Sequence, residues 1–186
     1  DSDAMLSICR DVDWDAVFGR TVESSSWRGT VYPRPWFGFE GSALSFRLPS
    51  GLLEDSYFNF VLSAILLPGD ARAQGNFDSL AVPLRVVATD LHTLRPYILR
   101  SGSVARAARM TAGMAPAFAP LPEGKALLVE GGTSSKLPIS VGHAEGVDHV
   151  LAVDVAIPTP ALSESSSVIS IGLVLLDQLN KRGQTD

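Results

Sequence analysis

Apolar and polar positions follow two rhythms along this chain. The first is helical. In residues 4–18, "AMLSICRDVDWDAVF", Met5, Ile8, Cys9 and Val12 recur at helical spacing, so the chain opens on a predicted helix with no strand before it. Residues 48–67, "LPSGLLEDSYFNFVLSAILL", predict a second helix. Ser50 is its candidate N-cap, Glu54 and Asp55 place negative charge near the positive end of the dipole, and Pro68-Gly69 is the expected stop. "SVARAARMTAGM" (103–114) predicts a third helix, with Ser101-Gly102-Ser103 as its capping turn. "PISVGHAEG" (138–146) predicts a short helix with proline in its first turn and glycine at its end. "ESSSVISIGLVLLDQLNKR" (164–182) predicts a final one, with Lys181 and Arg182 near its negative end.

The second rhythm is a set of short, continuous, β-branched runs. "LRVVAT" (84–89), "ALLV" (126–129) and "HVLAVDV" (149–155) predict buried strands, and "PYILR" (96–100) a short partner strand. Apolar strands separated by helices predict an α/β domain: a mostly parallel sheet covered by helices on both faces. Ligands in such sheets sit at the carboxyl ends of strands, and Asp90, Glu130 and Asp154 fall at or near those ends. Residues 19–47 fit neither rhythm. They are rich in Gly, Ser and Pro, and Trp27, Tyr32, Trp36, Phe37 and Phe39 are spread among them, which predicts a lid, a packed flap or a partner-facing segment.

Composition narrows the picture. The chain has 186 residues, of which 46% are hydrophobic, which suits a single domain over 1–186 with a real core. A net charge of −5 without a basic run argues against a nucleic-acid partner. Cys9 is the one cysteine, so no disulfide framework is expected. The start, Asp1-Ser2-Asp3-Ala4, has no basic n-region and no apolar h-region, and is not a signal peptide. The longest apolar stretches, 61–67 and 168–176, are far short of the roughly 20 residues a membrane-spanning helix needs. A cytoplasmic or membrane-peripheral placement is the corresponding expectation.

The richest candidate chemistry is Glu130-Gly131-Gly132, where an acid closes a strand and two permissive residues follow. The carboxylate could orient or deprotonate a nucleophile; a plain strand-to-loop turn with an acid at its lip is the other reading. Thr89-Asp90 reads mainly as an acid capping the next turn. Asp154, inside an apolar strand, reads as a buried, paired acid that anchors nearby backbone N–H groups, or as a site residue. His92, His143 and His149 lack metal-ligand spacing, so no metal is expected. No phosphate-binding glycine loop and no G-x-S-x-G nucleophile elbow occurs in residues 1–186.

Several segments, in order, resemble the patatin-like lipid acyl hydrolases, in particular their bacterial members. They are "DVDWDAVF" (11–18), "LPSGLL" (48–53), "FDSLAVPLRVVATDL" (77–91), "LRSGSVARAARMTAGMAPAFAPL" (99–121) and "LLVEGGTSSKLPISVGHAEGVDHVLAVDV" (127–155). The resemblance implies a three-layer α/β/α domain with a mostly parallel sheet. It implies hydrolysis of acyl esters of phospholipids or lysophospholipids by a Ser–Asp dyad, with a lipid substrate, membrane-surface contact and no cofactor. Glu130 stands where the family has its dyad aspartate, and Gly131 and Gly132 are the glycines of that motif.

Three departures stand out. The elbow serine and the glycine-rich oxyanion loop have no counterpart in this chain, so the nucleophile-bearing part of the domain is expected upstream in a longer gene product. Glu130 replaces aspartate, which shifts the carboxylate by about a bond length, ~1.5 Å; misplacement on that scale costs on the order of 100-fold in rate. Arg109-Met110-Thr111 replaces Arg-Ala-Ser, and Ser135-Lys136 falls where the family has asparagine, so Lys136 is expected to pair with Glu130. The internal changes support an alternative in which the chain is a catalytically silent relative that binds lipid or a protein partner. An unrelated α/β binding domain is a third reading.

Overall fold

Strand β1, Val86–Asp90, is the organising element of the structure, a computed structural model that describes residues 2–14, 17, 51, 55–115, 117–155, 171–172 and 174–175. β1 pairs with β2 (Arg95–Leu99) on one side, in register Val86↔Leu99 to Asp90↔Arg95. On the other side it meets β4 (Ala126–Val129) through Thr89↔Val129 and Asp90↔Leu128. β3 (Leu121–Glu123) pairs with β4 in a hairpin whose turn is made by Gly124 at φ +59, where a residue without Cβ carries no steric penalty. The sheet order is β2-β1-β4-β3.

Every pairing in this sheet is antiparallel, so the mostly parallel sheet expected from the apolar runs is not what the described strands form. For two of the three pairings the reason is local. β1 and β2 are joined by a short turn, and β3 and β4 by a tighter one; connections that short can only join antiparallel neighbours. The β1–β4 pairing is long-range. The architecture is mixed α/β: a four-stranded antiparallel sheet with helices packed on it.

Helix α1 spans Ser2–Asp11, α2 Ser56–Ala73, α3 Val104–Ala112 and α4 Ile139–Ala144. The main core joins α2, α3 and the sheet through Ala73, Phe77, Ala88, Leu99, Val104, Ala107, Met110 and Leu128. A second cluster packs Val17, Phe58 and Phe118 together, with the two rings 5.5 Å apart.

α2 departs from expectation at both ends. It runs through Pro68-Gly69 to Ala73 and stops at Gln74 (φ 46) and Gly75 (φ 80), where the Gln74 N–H donates to Asp70 O at 3.1 Å. Tertiary structure overrides the proline. Ala73 is fully buried in the core, and the Asp70 carboxylate accepts the Ser103 hydroxyl at 2.9 Å and the Val104 N–H, tying the last turn of α2 to the first turn of α3. Ser103 also caps α3 as its sequence implies, accepting from Arg106 N–H at 3.2 Å. At the start of α2, Asp55 occupies the N-cap position without capping, because its carboxylate is held by Arg109. Ser50 and Glu54 lie outside the described residues, as does the whole of the lid-like segment 19–47.

The run 149–155 was expected as a third buried strand. It forms no strand and is exposed throughout, with Leu151, Val153 and Val155 at 91%, 68% and 81% exposure. Asp154 therefore lies on an exposed segment instead of a buried strand. The short helix 138–146 is realised as α4 behind Pro138, closed by Gly146 at φ +78. Of the final predicted helix, the described residues 171, 172, 174 and 175 are helical.

Candidate functional site

The site is built where β4 runs out. Its ladder with β1 reaches only as far as Thr89↔Val129, and Glu130 begins a single 3-10 turn, Gly131–Thr133. The main chain at Glu130 is held on both sides. Its N–H donates to Gly113 O at 3.0 Å, at the end of α3, and its carbonyl accepts the Thr89 hydroxyl at 2.7 Å.

β1 serves two purposes through the alternation of its side chains. Ala88 joins the core beneath α3, while Thr89, fully buried, turns to the Glu130 loop. Beyond the end of the ladder the Val87 carbonyl would lack a strand partner on this side; the Thr111 hydroxyl at the end of α3 donates to it at 2.6 Å. Gly131 then passes so close that a Cβ on it would stand 2.1 Å from that same carbonyl oxygen. No side chain fits there, so the first glycine of the motif is required by contact with β1. The second is looser: a Cβ on Gly132 would lie 3.2 Å from Glu130 Oε1, the mobile end of a side chain.

The Glu130 side chain is half-buried, and burial pushes its carboxyl above the ordinary glutamate range. The positive charge of exposed Lys136 acts in the opposite direction and is outweighed. Beside the turn lies a cleft of about 280 Å³, lined by Arg85, Thr111, Gly131, Gly132, Ser135 and Lys136 among others. The glycine pair, not the Glu130 carboxylate, forms its wall. Arg85 is committed to two acids, with Nη1 2.6 Å from Asp78 and Nε 2.7 Å from Glu145. Arg100 reaches the other Glu145 oxygen at 2.6 Å, so α4 is clamped to the entry of β1 and the exit of β2. The arrangement offers a half-buried carboxyl with raised proton affinity on the turn whose glycines wall a cleft of mixed lining, a group suited to general acid–base work.

The other sequence candidates are placed elsewhere in function. Asp90 caps its turn: Oδ1 accepts His92 N–H at 3.1 Å and Oδ2 accepts the Thr93 hydroxyl at 2.9 Å. These bonds, the His92 N–H foremost, hold its carboxyl below the usual aspartate range. Among the described residues, no group of three or more His, Cys, Asp or Glu side chains is placed to hold a metal ion, and no helix is long and apolar enough to cross a membrane.

Two sets of contacts had no signal in the sequence, although Thr89, Arg109 and Thr111 stand in motifs that it does show. One is the buried Arg109–Asp55 pair. Arg109 is 2% exposed, bonds Asp55 Oδ2 through Nη2 (2.6 Å) and Nε (3.2 Å), and lays its guanidinium 4.7 Å from the Phe118 ring centre. An arginine in an Ala-rich helix reads as a solvated residue until Asp55, 54 positions earlier, is brought to it. The other is the hydroxyl set Thr89, Thr111 and Ser134. Thr89 reads from sequence as one more β-branched strand residue, and only the geometry shows its oxygen on the Glu130 turn. No protein-family model matches this chain.

Proposed function

We propose that this chain is the acid-bearing portion of a lipid acyl hydrolase domain of the three-layer, patatin-like type, with Glu130 as the proton acceptor. One observation carries the reading: Glu130 closes β4 as a half-buried carboxyl of raised proton affinity, and its glycine neighbour is pressed against the Val87 carbonyl. An acid-Gly-Gly sequence in a plain solvent turn needs neither feature. In the reaction, a serine hydroxyl attacks the ester carbonyl of an acylated lipid while Glu130, directly or through one water, takes up its proton. The proton then passes to the departing alkoxide, leaving an acyl-serine and an alcohol. Water hydrolyses the acyl-serine by the same transfers in reverse. No metal or organic cofactor enters. Residues 1–186 hold no nucleophile elbow, so this reading requires a serine from outside them.

The test is an intact-mass spectrum of the natural gene product before and after a fluorophosphonate probe, with Glu130→Gln beside it. One adduct on the native protein, formed at least about 100-fold more slowly in the variant, is the expected result. Equal labelling of both would remove Glu130 from the mechanism. A second reading is favoured by the longer acid at position 130 and by the charge of Lys136 acting on it. In it the same domain is catalytically silent and retains lipid or protein binding. A gene product that stays unlabelled while it still binds lipid vesicles would decide for that reading.

A further inference from the structure

We propose that Thr89, acting with Ser134, is a positioning residue of this site: its buried hydroxyl fixes the turn that carries Glu130. The inference rests on the reading of Glu130 as the acid of the site, and it names the group that sets where that acid stands.

Proton accounting carries the argument. Thr89 Oγ1 has one hydrogen and two lone pairs. It lies 2.7 Å from the Glu130 carbonyl oxygen, which can only accept, so the hydrogen is spent there. The Ser134 N–H donates to Thr89 Oγ1 at 3.1 Å and takes one lone pair. The Ser134 hydroxyl stands 2.8 Å away. Thr89 has no second hydrogen to give, so Ser134 is the donor in that contact and takes the other lone pair. Every bonding capacity of a fully buried hydroxyl is therefore used on one turn, at its first residue and its last.

The strand makes this anchor rigid. Thr89 faces Val129 in the last pair of the β1–β4 ladder, so the hydroxyl is fixed by backbone pairing just before the chain leaves the sheet. β-Branching restricts its χ1 further. The turn is then pinned from three sides: by Thr89, by Gly113 O on the Glu130 N–H, and by the Gly131 contact with the Val87 carbonyl. Of these, Thr89 is the one whose side chain can be altered without new bulk. Valine has nearly its shape and no hydroxyl, so it leaves the Glu130 carbonyl and two Ser134 donors to find other partners.

A merely structural role would show in melting temperature alone. A positioning role shows in the carboxyl itself. The test follows the ¹³C resonance of the Glu130 side-chain carboxyl through a pH titration in native protein, Thr89→Ser and Thr89→Val. The expected result is a lower midpoint in Thr89→Val, as the loosened turn lets water reach the carboxyl, with Thr89→Ser restored to the native midpoint. An unchanged midpoint in Thr89→Val overturns the proposal. If Thr89→Val does not fold, Ser134→Ala removes one donor at the turn's outer end. A shift in the same direction supports the proposal and an unmoved midpoint overturns it. The hydrolase reading fails separately: an unlabelled gene product alongside a Thr89-dependent midpoint sinks the chemistry and leaves the positioning intact.

Discussion

"LRVVAT" and "HVLAVDV" are near-equivalent as sequences, both short, apolar and β-branched, yet the molecule treats them oppositely. The first supplies β1, whose centre is buried on both faces; the second is exposed from end to end and forms no strand among the described residues. The difference lies in partners, not propensity. β1 has β2 along one edge, β4 along the other and α3 packed on it. Residues 149–155 have no strand pairing among the described residues, although Val150 reaches back to α4 near Gly142. Strand propensity is a statement about fitting a half-buried pleated surface, and it is silent when no such surface is offered.

Substitutions sharpen that contrast. Arg109→Ala should lower stability by about 3–5 kcal/mol, because it strands the Asp55 carboxylate and empties the space against Phe118. Arg109→Lys should recover only part of this, since an ammonium cannot reproduce the Nε and Nη2 contacts to one carboxylate oxygen. Chemical denaturation of the three proteins checks both statements. Gly131→Ala comes next, at about 1–3 kcal/mol, since its Cβ must push the turn away from Val87 O. If it unfolds at the native midpoint, the turn is not pressed on β1 as described.

Smaller effects follow from charge. The Glu130 carboxyl is raised in the folded protein, so its stabilising contribution is full below the unfolded glutamate pKa and is lost as pH rises through the folded value. Glu130→Gln should remove that slope, and the variant should gain on the native protein across this window in pH-dependent melting. Asp90 has the opposite sign. Its lowered carboxyl contributes above the unfolded aspartate pKa and loses that contribution as pH falls, so Asp90→Asn should flatten the acid limb. Leu151→Asp should be nearly silent, within about 0.5 kcal/mol, because the side chain is 91% exposed. The same change at Leu128, in the core, should unfold the protein.

The parts of the fold that were legible share a local cause. Ser103 as a cap, Asp90 as a turn acid, Pro138 opening α4 and Glu130-Gly131 closing β4 are all set by residues within a few positions of one another. What could not be read depends on residues far apart in sequence. Pro68 fails to stop α2 because Asp70 and Ala73 are held by α3 and the core. The β1–β2 and β3–β4 pairs are antiparallel because short turns dictate it, the β1–β4 pair is long-range, and the apolar runs alone cannot distinguish parallel from antiparallel pairing. Thr89 and Ser134, 45 positions apart, meet only because β1 and β4 pair at their ends.

The central claim is that the turn after β4 holds Glu130 as a half-buried carboxyl of raised proton affinity. The most direct test is the ¹³C titration of that single carboxyl in the native protein. The account predicts a midpoint clearly above that of a solvent-exposed glutamate, and one that rises further in Lys136→Ala. A midpoint at or below the exposed-glutamate value would contradict it and return Glu130-Gly131-Gly132 to a plain turn.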